Sequence, residues 1–137
     1  MSYIPASVQV MTMYNVDLTQ PVNTTFLLGK TVPNQTFIGL VTMIEVTSLG
    51  AVGTPPSVSI GTVAGSYTDI SGAQPLTGLT GPITGLPYQV AQVGAASSSN
   101  YASIQAETEI YLQITLVSTV SPCVANITLL GITYGTD

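Results

Sequence analysis

Six acids and one base are all the charged side chains this sequence offers for chemistry: Asp17, Glu45, Asp69, Glu107, Glu109, Asp137 and Lys30, with no His or Arg. Nucleophilic triads need an imidazole or another base poised near neutral pH, so the usual hydrolase arrangements are excluded. A Ser-Lys pair would have to use Lys30, which lies between Gly29 and Thr31 and reads as a solvated residue or an ion-pair partner across subunits. Glu107 and Glu109, two apart, would share one face of a strand, the spacing a cation site or a glycosidic acid–base pair could use. No third acid is near them in sequence, and a solvated polar face is the reading that fits. Neither a Gly-rich phosphate loop nor a paired-Cys metal site is present, and no cofactor is expected. Cys123, the one cysteine, cannot form an internal disulfide and reads as a buried inert thiol.

A second kind of chemistry is recognition. Tyr67 with Asp69, and Tyr101 after Ser97-Ser98-Ser99-Asn100, place aromatic faces beside hydrogen-bonding groups in turn-rich stretches, and Tyr88 adds a further aromatic at the start of a strand. Sugar recognition uses that combination, and so do ordinary β-turns. Asn23, Asn34 and Asn126 each open an Asn-x-Thr glycosylation pattern, which arises by chance in a chain this rich in Thr. The formal net charge of −5 removes the electrostatic footprint for nucleic acid and for anionic lipid. Neither a nucleic-acid nor a membrane partner is expected.

The elements that must carry these residues read as strands. From Glu107 to Val117, Ile110, Leu112, Ile114 and Leu116 alternate with Glu109, Tyr111, Gln113 and Thr115, the period of a half-buried strand. Val124 to Tyr134 sets Val124, Thr128, Leu130, Ile132 and Tyr134 on one face and Ile127 and Leu129 on the other. Phe37 to Val46 is apolar on both sides apart from Glu45. A strand with one face in water should alternate with polar residues, so these two imply a sheet packed on one side and a neighbouring subunit on the other. Val8–Tyr14, Thr24–Leu28, Ser57–Thr62 and Tyr88–Val93 read as shorter strands, with turns at Gln20-Pro21, Val32-Pro33-Asn34, Ser71-Gly72 and elsewhere. The thrice-repeated Leu/Ile-Thr-Gly unit between Leu76 and Pro87 reads as a long surface loop. The expected fold is all-β, an antiparallel, jelly-roll-like β-sandwich with little or no helix. One domain over 21–137 is expected, with residues 1–20 a possible N-terminal arm that grips a neighbour. No leader or membrane span is read.

At 137 residues with 45% hydrophobic and 5% charged, the chain has far fewer than the ~25% charged residues of an ordinary soluble domain. Its apolar surface must then be hidden in an assembly or be a binding surface. Subunit contacts are expected from Tyr3, Ile4, Val8, Val10, Ile38, Leu40, Met43 and Leu129.

The run Lys30-Thr31-Val32-Pro33-Asn34-Gln35-Thr36-Phe37-Ile38-Gly39, then Val41–Val46, Val58-x-Ile60-Gly61-Thr62, Ile110–Val117 and a closing Ile132-Thr133-Tyr134, resembles the small jelly-roll or related β-sandwich proteins of tailed-phage virions. These are capsid decoration (cement) proteins and fibre domains. The resemblance covers about residues 30 to 135 and transfers no functional residue. It implies a homotrimeric structural protein of the virion, partnered by itself and by a major capsid protein or a fibre or tail component. The alternative it implies is a receptor-binding fibre domain contacting host-surface carbohydrate, for which Tyr67, Asp69, Tyr88 and Tyr101 are the candidates. The near absence of Lys departs from many cement proteins.

Overall fold

The computed structural model describes residues 7–50, 54, 56–65, 67–75, 83–84, 88–92, 103–119 and 121–135. Ten strands run through them: β1 (Ser7–Asp17), β2 (Thr25–Lys30), β3 (Gln35–Leu49), β4 (Ser57–Gly61), β5 (Ser71–Pro75), β6 (Ile83–Thr84), β7 (Tyr88–Gln92), β8 (Ser103–Ile104), β9 (Glu109–Leu116) and β10 (Cys123–Gly135). No helix occurs among the described residues, and hence none long and apolar enough to cross a membrane. The alternating stretch became β9, and the two doubly apolar ones became β10 and β3, the latter longer at both ends than Phe37–Val46. Ser71-Gly72, expected to be a turn, instead opens β5. That strand lies at a sheet edge, where a proline such as Pro75 is tolerated.

Pairing is antiparallel throughout, and it is nested. The first strand pairs with the last, β1 with β10; β2 pairs with β9; β3 pairs with β8, β7 and β6 in turn along its length; β4 pairs with its neighbour β5. Because β8, β7 and β6 meet successive parts of β3, at Phe37–Ile38, Val41–Glu45 and Ser48–Leu49, they fill one strand position between them. The result is two sheets, β1-β10-β3-β6/β7/β8 and β2-β9-β4-β5. A long hairpin rolled up on itself gives this order, that of a jelly roll. Residues 7–17, part of the stretch expected to form an arm, are an edge strand within this order; residues 1–6 lie outside the described residues.

The inner faces meet in one core. Ala125, Ile127 and Leu129 of β10, Phe37, Ile44 and Val46 of β3, Met11 and Val16 of β1, Ile110, Leu112 and Ile114 of β9, and Val58 and Ile60 of β4 are all buried. Each such Leu, Ile or Phe removed from water is worth roughly 1.5–3 kcal/mol before ordering costs. Two glycines make close approaches possible. A Cβ on Gly131 would stand 2.3 Å from the Ile38 carbonyl oxygen and 2.5 Å from the Phe37 ring, and one on Gly61 would stand 2.3 Å from an Asp69 carboxylate oxygen. Gly131 thus lets the Phe37 ring approach β10 closely, and Gly61 lets the turn after β4 fold back.

Strand β3 keeps its inward pattern by two bulges. The register steps from Leu130↔Val41 to Gly131↔Gly39, leaving Leu40 as an extra residue, and from Val124↔Ser48 to Ala125↔Val46, leaving Thr47. A bulge changes which face the following residues point to. Phe37 and Gly39 are therefore buried on one side of Leu40, and Thr42, Ile44 and Val46 on the other, although the two series are out of phase in sequence.

Candidate assembly face

The outer face of the β1-β10-β3 layer follows from the same register. Residues paired across antiparallel strands share a face, so Val8, Ile132 and Ile38 form one row and Val10, Leu130 and Val41 the next. Thr12, Thr128 and Met43 form a third row, and Asn126 and Glu45 a fourth, with Tyr14 beside it in the β1 bulge. The first two rows are wholly aliphatic. Val8 is 66% exposed and Val10 53%, while Ile38, Val41, Leu130 and Ile132 are half-buried by one another. Glu45 is the one charged residue among these rows. A strand such as β10, apolar on both faces, has one face in the core and presents the other as a sticky surface.

Of the residues expected at subunit contacts, Val8, Val10, Ile38 and Met43 lie on this face. Leu40 is the bulged, half-buried residue of β3. Leu129 requires a correction: it is fully buried in the chain's own core, between Met11 and Thr42 on the neighbouring strands, and has no surface to offer a partner. Its neighbour Leu130 takes the outward place. Tyr3 and Ile4 lie outside the described residues. Sequence reasoning did not select Val41, Leu130 and Ile132, although the outward series of β10 was legible.

At the polar end of the face the surface dips. Thr12, Tyr14, Met43, Glu45, Asn126 and Thr128 line a depression of about 230 Å³. The Thr12 and Thr128 hydroxyls hydrogen-bond each other at 3.0 Å, and the Asn126 side-chain oxygen accepts the Asn15 backbone N–H at 3.0 Å. Asn15 has φ of 56° and sits in a bulge of β1 between Met13 and Val16, where an Asn tolerates the left-handed backbone.

Of the residues considered for sugar contact, Tyr67 and Asp69 share the turn after β4, and the backbone of Tyr88 lies in the other sheet. Asp69 closes the turn after β4, accepting the Thr62 backbone N–H at 2.6 Å, the Val63 N–H at 3.4 Å and the Thr62 hydroxyl. Tyr67, at φ of 47°, tilts its ring against Tyr111 of β9 with centroids 5.3 Å apart. Tyr88 begins β7 in the other sheet, its backbone opposite Glu45. Tyr101 lies outside the described residues.

Nor do the two glutamates share a strand face. Glu107 sits in a turn with φ of 55°, and β9 begins only at Glu109. The expectation of a two-residue strand spacing fails because the chain reverses at Ala106-Glu107 before extending. Glu109 instead accepts the Tyr111 hydroxyl, which holds that phenol above its ordinary range. Lys30, exposed at the end of β2, is opposite Glu109 in register. No group of three metal-ligating side chains occurs among the described residues. Cys123 is buried, and burial pushes its thiol up.

No protein-family model matches the chain, and no curated protein sequence matches it. Its fold is similar to that of a chain in the capsid of Ralstonia phage GP4, with a TM-score of 0.64 and 11% identity over 99% of this chain and 88% of that one. It is similar also to a chain in the capsid asymmetric unit of cyanophage Pam1, with a TM-score of 0.59 and 14% identity over 98% of this chain and 87% of that one. At such identities the likeness is one of fold, and it runs over nearly the full length of each partner.

Proposed function

We propose that the protein is a structural, non-enzymatic component of a phage virion, a homotrimeric decoration subunit that reinforces a shell through its aliphatic sheet face. The observation that carries the reading is the outer face itself: two aliphatic rows on the three longest strands among the described residues, Val8-Ile132-Ile38 and Val10-Leu130-Val41. The full-length likeness of fold to phage capsid chains supports the setting. A standard interface removes about 800 Å² per partner from water, roughly three-fifths of it apolar, worth about 12 kcal/mol gross per partner at ~25 cal/mol per apolar Å² before the costs of association. Repetition over a shell turns each modest net contact into collective resistance. A surface nearly without charge suits such docking, since few ions must be desolvated.

The test is reconstitution. Purified protein mixed with undecorated shells of the virus that encodes it should co-sediment in fixed stoichiometry and raise the temperature at which the shells rupture. Val10→Lys, which places a charge in the aliphatic rows, should remain folded and stay in the supernatant. Shells that neither bind the wild-type protein nor gain stability would end the proposal.

A further inference from the structure

The depression at the polar end of the sheet face has a composition that the assembly reading does not use. Tyr14 is 70% exposed, so its ring contributes little to the core. The bulge between Met13 and Val16, with Asn15 in the left-handed region, lodges it at the rim beside Asn126. Bulges recur where a side chain is re-aimed for function. The opposite wall carries Glu45, whose carboxylate has no hydrogen-bond or ionic partner among the described residues. Asn126 spends its side-chain oxygen on the Asn15 N–H, which orients the amide and leaves both N–H donors for a ligand. Thr12 and Thr128 add two hydroxyls that already bond each other, and Met43 supplies an apolar surface.

We propose that this depression binds a single neutral pyranose ring, held between the Tyr14 ring, the Asn126 amide and the Glu45 carboxylate. A pyranose has a C–H face for an aromatic ring and vicinal hydroxyls that both donate and accept, which the carboxylate and the amide N–H groups satisfy in turn. Volume sets the size: about 230 Å³ admits one ring and no extended chain. Charge sets the class. Glu45 stands in the wall, the chain carries a net charge of −5, and its one cation, Lys30, lies on β2 in the other sheet, so acidic sugars are repelled. A lone carboxylate beside an amide donor does not make a cation site, which would need several oxygen ligands. The proposal concerns the free chain and does not rest on the decoration reading, so its test is independent of co-sedimentation.

The experiment is a titration of the isotope-labelled full chain, followed by ¹H–¹⁵N and methyl NMR. The probes are the methyl pyranosides of glucose, galactose, mannose and N-acetylglucosamine, with sialyllactose as the acidic control. At least one neutral pyranoside should shift Tyr14, Asn126, Glu45 and the Thr128 and Met43 methyls together, with a dissociation constant of about 1–10 mM. Tyr14→Ala should weaken it at least ~10-fold without moving the thermal midpoint. Asn126→Asp, which keeps the acceptor for Asn15 and removes the donors, should do the same. The proposal is overturned if no neutral pyranoside shifts this cluster, if binding survives Tyr14→Ala and Asn126→Asp, or if sialyllactose binds more tightly. It is overturned also if the Tyr14, Asn126 and Glu45 resonances move on concentrating the Val10→Lys variant alone, for then a second copy occupies the depression even where the aliphatic rows no longer associate.

Discussion

Replacing Leu129 by Ala, beside a parallel replacement of Leu130 by Thr, tests the register on which every statement about the outer face rests. Leu129 has no exposed surface. Shortening it removes apolar contact worth about 2 kcal/mol at ~0.8 kcal/mol per methylene and leaves a cavity that neighbours refill only in part. The expected loss is ~3 kcal/mol. For a chain of 137 residues an unfolding entropy near 2.1 cal/mol/K per residue converts this to a fall of about 10 °C in Tm. Leu130, half-buried on the outer face between Val10 and Val41, becomes a residue that favours strands and tolerates water, so its replacement should cost ~1 kcal/mol or less. The assay is guanidinium unfolding with the midpoint extrapolated to low protein concentration and unchanged slopes required of both variants. The reverse order, Leu130→Thr the more damaging and Leu129→Ala nearly neutral, would mean that β10 is turned over, since a one-residue slip exchanges the faces.

Gly131→Ala drives a methyl into the Ile38 carbonyl and the Phe37 ring, and should cost about 3 kcal/mol, at the upper end of overpacking, as read by the same unfolding assay. Asp69→Ala strips the acceptor from the Thr62 and Val63 amides; a loss of ~1–2 kcal/mol and faster hydrogen exchange at Thr62 should follow. The Thr19 hydroxyl and backbone N–H hold the Asp17 carboxyl below its ordinary range. A carboxyl depressed on folding stabilises the fold above its unfolded pKa, and the contribution disappears as pH falls through the folded value. The acid limb of stability below about pH 4 should therefore be shallower in Asp17→Asn, as followed by thermal melts from pH 6 to pH 2.

Much of this architecture was legible because strands announce themselves by period two. Ile110, Leu112 and Ile114 could only be one face of a strand, and all are buried. What a single strand does not reveal is which of two apolar faces meets the core, and Leu129 was placed outward for that reason. The bulge at Leu40 was equally hidden: strict alternation separates Ile38 from Met43, and an extra residue reunites them on one face. Segments β6 and β8, two residues each, are too short to show a period. The misplacement of Glu107 has a local cause, a left-handed turn where a strand start was expected. The depression beside Tyr14 was out of reach, because Asn15 and Asn126 stand 111 residues apart in sequence and meet only through the pairing of the first strand with the last.

Sedimentation velocity of the wild-type protein and of Val10→Lys, over a wide concentration range, puts the aliphatic face to its most direct trial. The wild-type protein should pass from monomer to trimer as concentration rises, and the lysine variant, equally folded by circular dichroism, should remain a monomer throughout. A wild-type chain that stays monomeric at every concentration, or a variant that assembles as readily, would contradict the account.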